Sequence, residues 1–557
     1  MIFKEQIEKE IKKEVKADIS LEIPPDSSLG DYALPCFKLC KAYKKSPNEI
    51  AEELSKKIKP SKIIDKVIVN GPYLNFFINK EIIIKETLSK IIKEKDKFGS
   101  EKIKSKKILI EHTSINPNAS PHVGRARNAI IGDSLARLFR FHGYNAETHY
   151  FVNDVGKQIA ILVLGCEKRK KVSFDDLLDI YIGISKKVDK NPKFEKDVFD
   201  MLHELEKGNK KTVKKFKDIV KICMEGQKKI FSELGIRYDY FDFESDYLWS
   251  KETEKIIDEL KKTGKLFEDE QGRYVLDQKE FNLAMKSPVL VLTRADKTSL
   301  YPLRDMAYTI EKAKKDYDRN IIVLGEDQKL YFQQLSAALS IINHKAPEVI
   351  HYSFVLLSEG KMSTRQGNLV LLEEFMDEAV KKAEKEIMKR NKKISKNELE
   401  KLAKAIGHSA IKYTIIRVSP EKNVTFDWKH ALSFEGDTGP YLQYSHARIC
   451  SILNKYGKKV SEKADYSLLK SKEEMALIKQ LSEFPDIASQ AASLLKPHLI
   501  ANYLYSLAQN LNEFYHACPI LKEKDEIKKA RLLLVSCVKQ TLANGLNILG
   551  IEPLERM

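Results

Sequence analysis

Apolar residues recur at helical spacing over most of this chain and alternate over a few short runs. At the start, Phe3, Ile7, Ile11 and Val15 recur every four residues, which predicts an amphipathic helix with one buried face. The segment KVIVNGPYLNFFINK (66–80) alternates and is aromatic, so a paired strand is expected, with a turn at Asn70–Pro72. At Ile108 the texture changes. ILIEHT (108–113) reads as a short apolar strand, NPNASP as a loop, Val123 to His142 as an apolar-periodic helix and NAETHYFV (145–152) as a second strand. Strand, loop, helix, strand is a βαβ unit and implies a parallel sheet. NIIVLG (320–325) and VIHYSFVLL (349–357) read as further strands of that sheet. The stretch between them, roughly 165–290, is charged and helical in texture and reads as an insertion. From about residue 396 the spacing is helical to the end, which predicts a bundle.

These patterns divide the chain into three. Residues 1–105 form a small α/β unit ending in the polar, basic SEKIKSKK (100–107), which suits a linker. Residues 106–395 form an α/β, Rossmann-like parallel-sheet domain with the insertion, and residues 396–557 an all-α bundle. A length of 557 residues agrees with this, since at about 150 residues per domain it predicts three or four.

Composition adds little until position is considered. Lys plus Arg is 97 against 80 for Asp plus Glu, a net charge of +17. That balance suits a nucleic-acid partner, but it suits a lysine-rich solvated surface equally well. Only 16 of the basic residues are arginine, and the first is Arg125. The seven cysteines are scattered, with no pair of CxxC knuckles, so a structural zinc is not expected and a reducing cytosol is. No run approaches ~20 uncharged apolar residues. The N-terminus lacks an apolar signal core, so a soluble cytoplasmic protein is expected.

Two constellations carry chemistry. The first runs from Glu111 to Asn128 (EHTSINPNASPHVGRARN), between a strand and a helix N-terminus. Backbone N–H groups and the positive end of the helix dipole favour phosphate there. Gly124 leaves room for a flat base, and His122, Arg125 and Arg127 add donors. The second is EGKMSTRQG (359–367), directly after an apolar strand. A glycine-flanked loop bearing Lys361, Ser363, Thr364 and Arg365 can close over a polyphosphate.

Taken together, and in this order, the two resemble the signatures of a class I aminoacyl-tRNA synthetase. His122-Val-Gly124-Arg125 is similar to that class's His-Ile-Gly-His, and Lys361-Met-Ser-Thr-Arg365 to its Lys-Met-Ser-Lys-Ser loop. IIGDSLAR (130–137), LYPLRDMAY (300–308), GEDQKLYFQQ (325–334), KMSTRQGN (361–368), GDTGPYLQYSHAR (436–448) and the terminal GIEPLERM narrow the resemblance to the arginyl-tRNA synthetases. SLGDYALP (28–35) and VNGPYLNFFIN (69–79) resemble that family's extra N-terminal domain. Two departures stand out. Arg125 replaces the second signature histidine, and Thr364 replaces the loop's second lysine. Ala119 stands where some members carry a compensating lysine, which leaves Lys361 with Arg365 for the α-phosphate.

The resemblance implies an arginine–tRNA ligase. It would use ATP with substrate-borne Mg²⁺ to form arginyl-adenylate, then transfer arginine to the terminal ribose 2′-hydroxyl of tRNA(Arg). It would act as a cytoplasmic monomer without a membrane partner, and its first step would need bound tRNA. The resemblance places His122, Gly124, Arg125, Lys361, Ser363 and Arg365 at the reacting phosphates, with Asn128 and Met362 also on ATP. Arginine would meet Glu111 and Asp305 at its guanidinium, Tyr301 as an aromatic wall, and Asn116 and Gln328 at its α-amino and carboxylate end. Planar carboxylates suit a guanidinium because each can accept two N–H groups. Tyr444, Arg448, Tyr515 and Met557 would hold the anticodon, and Asn70, Tyr73, Asn75, Phe76 and Phe77 the tRNA corner. Two other readings remain: a nucleotidylyltransferase on the same fold, and a non-catalytic tRNA-binding relative of a synthetase.

Overall fold

The computed structural model describes the chain except residues 1, 2, 16, 25, 27, 168 and 358–369. In the N-terminal unit the helix Lys4–Ile11 buries Phe3, Ile7 and Ile11, and Val15 continues the same buried face. The unit's three-stranded antiparallel sheet, β1 (Tyr32–Pro35), β2 (Ile64–Asn70) and β3 (Tyr73–Ile78) in the order β1-β3-β2, packs against the helix Pro47–Lys57. The expected turn lies between β2 and β3, where Gly71 takes φ of +55°, a conformation glycine adopts without penalty.

The central sheet begins with β4 (Lys107–Glu111), continues through β5 (Asn145–Val152) and gains β6 (Tyr240–Phe243) at one edge. A small antiparallel sheet follows, made of β7 (Leu266–Glu268), β8 (Tyr274–Asp277) and β9 (Val289–Val291). The chain then returns on the other side of β4 with β10 (Arg319–Gly325) and β11 (Glu348–Tyr352). The order β11-β10-β4-β5-β6 is parallel throughout. Winding outward from β4 in both directions leaves a topological switch point between β4 and β10, where ligands enter over the carboxyl ends of such sheets.

Two departures from the sequence reading have physical causes. The stretch 165–290 is not outside the sheet throughout: its helices Asp176–Lys190, Pro192–Glu206 and Lys210–Glu233 are followed by β6, which rejoins it. The run 349–357 is not one strand. It breaks after Tyr352, where the Arg127 guanidinium takes the carbonyls of Ser353 (2.7 Å) and Phe354 (3.4 Å), and the Ser353 N–H turns to Pro420 (2.9 Å). Beyond the break, β12 (Val355–Leu357) pairs with β13 (Val424–Phe426) instead of joining the central sheet.

The helices Leu372–Arg390 and Lys396–Ile416 pack together beneath this junction. The C-terminal region is the expected bundle: Gly439–Tyr456, Lys472–Leu494, His498–Ala517 and Asp525–Ile548. One continuous apolar core joins the N-terminal unit, one face of the sheet and the bundle. A second core lies under the helix Tyr301–Ala313. Among the described residues, no helix is long and apolar enough to cross a membrane.

Candidate functional site

The helix Val123–His142 starts at the switch point, with His122 in extended backbone at its N-cap and no side-chain cap on its first N–H groups. Its seat is strained and tightly held. Thr113 and Ser114, just after β4, both take positive φ (+73° and +42°), and for a β-branched threonine that is costly. Asn128 Oδ1 accepts from the Thr113 N–H at 2.5 Å, while Asn128 Nδ2 donates to the Val323 carbonyl of β10 at 2.8 Å. Asn128 is therefore a buried strut across the switch point, and both ends of the amide that the sequence reading directed at ATP are used within the fold.

The loop 115–120 rests on two buried side chains that sequence reading missed. Tyr150 Oη, with one proton to give, lies 2.8 Å from Gln227 Oε1 and 3.0 Å from the Ile115 carbonyl, and Gln227 Nε2 donates to the carbonyls of Asn116 (3.2 Å) and Ala119 (2.9 Å). The Asn116 amide donates to Gln158 Oε1 at 2.9 Å. Gly132 allows His112 to lie against the helix, because a Cβ there would come within 2.2 Å of the imidazole.

Of the three donors expected at phosphate, two, His122 and Arg125, are partly exposed at the helix start. His122 is half-buried, and burial followed by the charge of Arg125 pushes its pKa down to about 4. The imidazole is thus neutral at pH 7, and permanent charge at the helix start falls to Arg125. Arg127 does not belong with them. It is fully buried and donates to Ser353, Phe354 and, at 2.9 Å, Ser419. Lys361, Met362, Ser363 and Arg365 lie outside the described residues. The chain after them is placed, however: Val370–Leu372 pairs with Pro121–Val123 through Val123 N–H to Val370 O (3.0 Å) and Leu372 N–H to Pro121 O (2.8 Å). The polypeptide leaving 358–369 therefore arrives beside His122.

Across the cleft, the helix Tyr301–Ala313 presents one face at spacing i, i+4, i+7, i+11: Tyr301, Asp305, Tyr308 and Lys312. Asp305 sits in a recess of carboxylates. Burial first, then the charges of Glu244 and Glu111, push its pKa up to about 7, while a hydrogen bond from the Tyr331 hydroxyl and the charge of Arg304 oppose the rise. Tyr331 donates to Asp305 Oδ2, and the Tyr301 ring lies 5.1 Å from that of Tyr331.

The nearby Arg304 does not pair with Asp305. Its Nε donates to Glu244 at 2.6 Å, and both side chains are buried. Glu111, expected to grip guanidinium beside Asp305, is instead closed by the buried Lys312 ammonium, which also lies 4.0 Å from the centre of the Tyr308 ring. Among the described residues, Asp305 has no ion-pair partner. Gln328 lies in the turn after β10, where its amide donates to Asp327 (3.2 Å).

In the bundle, the four residues expected at the anticodon converge on one cleft of about 1380 Å³. Arg448 lies between two rings, 4.8 Å from Tyr444 and 5.1 Å from Tyr515, and donates to Tyr444 Oη (3.1 Å) and Asn512 Oδ1 (2.8 Å). Met557 lines the same cleft. On the N-terminal unit, Asn70 and Tyr73 are exposed beside the β2–β3 turn, with Tyr73 edge-on to exposed Phe37 at 5.7 Å. Phe76 and Asn75 are corrected here. Phe76 is fully buried in the core, and Asn75, on the opposite face of the central strand β3, is buried against the chain at Gly30. Phe77 is partly buried.

Family models match the three parts of the chain in turn. The arginyl tRNA synthetase N-terminal domain matches residues 1–78, the class I (R) tRNA synthetase catalytic domain 87–428, and the DALR anticodon binding domain 442–557. The chain is 40% identical to an arginine–tRNA ligase of Methanocaldococcus jannaschii over all of itself and 98% of that protein. It is 41% identical to one of Methanocella arvoryzae, over 94% of itself and 92% of that protein. Its fold superposes on arginyl-tRNA synthetase of Thermus thermophilus with a TM-score of 0.85 at 26% identity, covering 100% of each chain. Signature helix, acidic recess and domain order thus coincide with full-length matches, and the chain belongs to the arginyl-tRNA synthetases, a class I family of arginine–tRNA ligases.

Proposed function

We propose that this arginine–tRNA ligase seats the guanidinium of L-arginine on Asp305, under Tyr301, and lays ATP across the N-terminus of the helix Val123–His142. The observation that carries the reading is the state of Asp305: a partly buried carboxylate that takes a hydroxyl donor and, among the described residues, has no ion-pair partner. Such a group costs free energy until a cation arrives. Asn116, Gln328 and Gln158, at the carboxyl ends of the strands, take the α-amino and carboxylate end of arginine.

In the first step an oxygen of the arginine carboxylate attacks the α-phosphorus of ATP and pyrophosphate leaves. Mg²⁺ comes with the nucleotide and supplies charge to its phosphates. This chain's part is to position and to stabilise charge: His122 as a neutral donor, Arg125 as a fixed cation, the exposed helix N–H groups, and Lys361, Met362, Ser363 and Arg365 by resemblance. In the second step the terminal ribose 2′-hydroxyl of tRNA attacks the adenylate carbonyl, loses its proton, and AMP leaves. The Tyr444–Arg448–Tyr515 cleft, with Met557, takes unstacked anticodon bases, and Asn70 with Tyr73 meets the tRNA corner. The enzyme works as a cytoplasmic monomer, with tRNA required for the first step. Arginine-dependent exchange of pyrophosphate into ATP, with and without tRNA(Arg), tests this scheme: exchange only with tRNA is expected, and none under either condition would overturn it.

A further inference from the structure

The end of the chain is held by side chains, not by a backbone ladder. The helix Asp525–Ile548 gives way at Gly550, whose φ of +67° lets the Ile551 N–H reach back to the Leu546 carbonyl (2.9 Å). The described residues 551–557 then run on without helix or strand. Three alternate carbonyls of this tail each take a donor from a buried side chain: Gly550 from Lys412 Nζ (2.6 Å), Glu552 from Gln443 Nε2 (2.9 Å) and Leu554 from His446 Nδ1 (2.8 Å). A carbonyl only accepts, so His446 carries its proton on Nδ1. Ile551 and Leu554 are buried in the core between these ties. The root is seated as closely. Ser134 Oγ donates to the Ile548 carbonyl (3.1 Å), and a Cβ at Gly550 would come within 3.1 Å of Asp133, Arg137 and Lys412. The far end, Glu555 to Met557, lines the cleft that Tyr444, Arg448 and Tyr515 frame.

We propose that Lys412, Gln443 and His446 are positioning residues for tRNA recognition: by tying down alternate carbonyls of the tail they keep Arg556 and Met557 in the cleft that takes the anticodon bases. The proposal rests on the reading of that cleft given above. Gln443 and His446 lie three residues apart on the buried face of the helix Gly439–Tyr456. The same helix carries half-buried Tyr444 and Arg448 on its adjoining face. One rigid element thus holds the tail and the cleft's ring and guanidinium in a single frame. A free chain end is ordinarily among the most mobile parts of a domain, and ordering it on binding opposes association. A tied end has lost that freedom already, so Arg556 and Met557 meet the tRNA from a fixed position.

The test is aminoacylation kinetics with tRNA(Arg) and with an anticodon-substituted tRNA(Arg). His446→Leu removes the donor at similar size, and His446→Asn restores one close to the Nδ1 position. A third enzyme lacks residues 556–557, and a fourth combines that deletion with His446→Leu. His446→Leu should raise the KM for tRNA(Arg) about tenfold and lower kcat at saturating tRNA by less than about twofold, with weakened discrimination against the substituted anticodon. His446→Asn should recover most of the loss. In the shortened chain His446→Leu should add little, because the residues it positions are gone. An unchanged KM in His446→Leu overturns the proposal. So does an equal loss in the full-length and shortened chains, which is what a general loosening of the bundle would give. Should His446→Leu fail to fold, Gln443→Leu is compared in the same two backgrounds and read the same way. The deletion takes away no buried side chain, and a KM for tRNA that it leaves unaltered overturns the proposal whatever the other variants do. Arg448→Ala separates the two levels: if its tRNA kinetics are unchanged, the cleft itself is misplaced, whereas a raised KM there beside a normal His446→Leu refutes only this proposal.

Discussion

The Tyr331 hydroxyl donates to the Asp305 carboxylate, while the arginine next to Asp305 in sequence turns away to Glu244. Neighbouring residues on one helix thus have opposite fates. Arg304 is consumed by the fold, and among the described residues Asp305 has no ion-pair partner.

A pH dependence follows. With its pKa pushed up to about 7, Asp305 is partly protonated in the free enzyme at neutral pH. Arginine needs the ionised form, so kcat/KM for arginine should rise with pH through about 7 and then level. The same shift acts on stability with the opposite sign. Between the ordinary carboxylate range and pH 7 the folded state holds a proton here that the unfolded state has lost, so this group makes the unliganded enzyme less stable as pH rises through that window. Thermal melts of wild type and Asp305→Asn should diverge there, with the variant showing the flatter dependence.

Arg125 and Arg127 should respond in opposite ways. Arg125→Ala leaves the melting temperature near wild type and lowers turnover at saturating arginine, because a cation at the nucleotide is gone. Arg127→Ala strands three carbonyls, that of Ser353 buried, and should destabilise the protein by about 3 kcal/mol. Equilibrium denaturation beside exchange kinetics separates the two.

Tyr73 and Phe76 divide similarly. Tyr73→Ala, at an exposed ring, should weaken tRNA affinity with no change in melting. Phe76→Ala opens a core cavity and should cost about 3–5 kcal/mol, and any effect on tRNA should follow from that loss.

At the other end of the molecule, Arg448→Ala separates Tyr444 from Tyr515. It should raise the KM for tRNA, while the KM for arginine at saturating tRNA stays near wild type. Filter binding with anticodon-substituted tRNA(Arg) provides the check, since the variant should lose discrimination among those substitutions.

These contrasts mark what was legible in the sequence. The helix Val123–His142 was readable closely because its apolar period is long and Gly143, which takes φ of +94° in the structure, follows it. The Tyr301–Asp305 face was also legible from its spacing. Its continuation to Lys312 follows the same rule, but a lysine in an amphipathic helix ordinarily reads as solvated surface, and only a three-dimensional partner, Glu111, reveals otherwise. β6 escaped because four residues containing an aspartate carry almost no periodicity inside a charged, helical stretch. Arg125 and Arg127 looked alike because both lie in the signature; which of them is buried depends on Ser353 and Ser419, more than 200 positions away. Asn128 and Phe76 were drawn to ligands by their motifs, whereas the fold needed a strut and a core ring.

The central claim is that one open carboxylate, Asp305, reads the positive charge of the amino acid. The most direct measurement compares arginine with citrulline, in which an uncharged urea replaces the guanidinium, by kcat/KM in tRNA-dependent pyrophosphate exchange for wild type and Asp305→Asn. Losing a desolvated charge pair is worth about 2 kcal/mol or more, so the preference for arginine should fall by about 30-fold or more in the variant. A preference that survives the substitution undiminished would contradict the account.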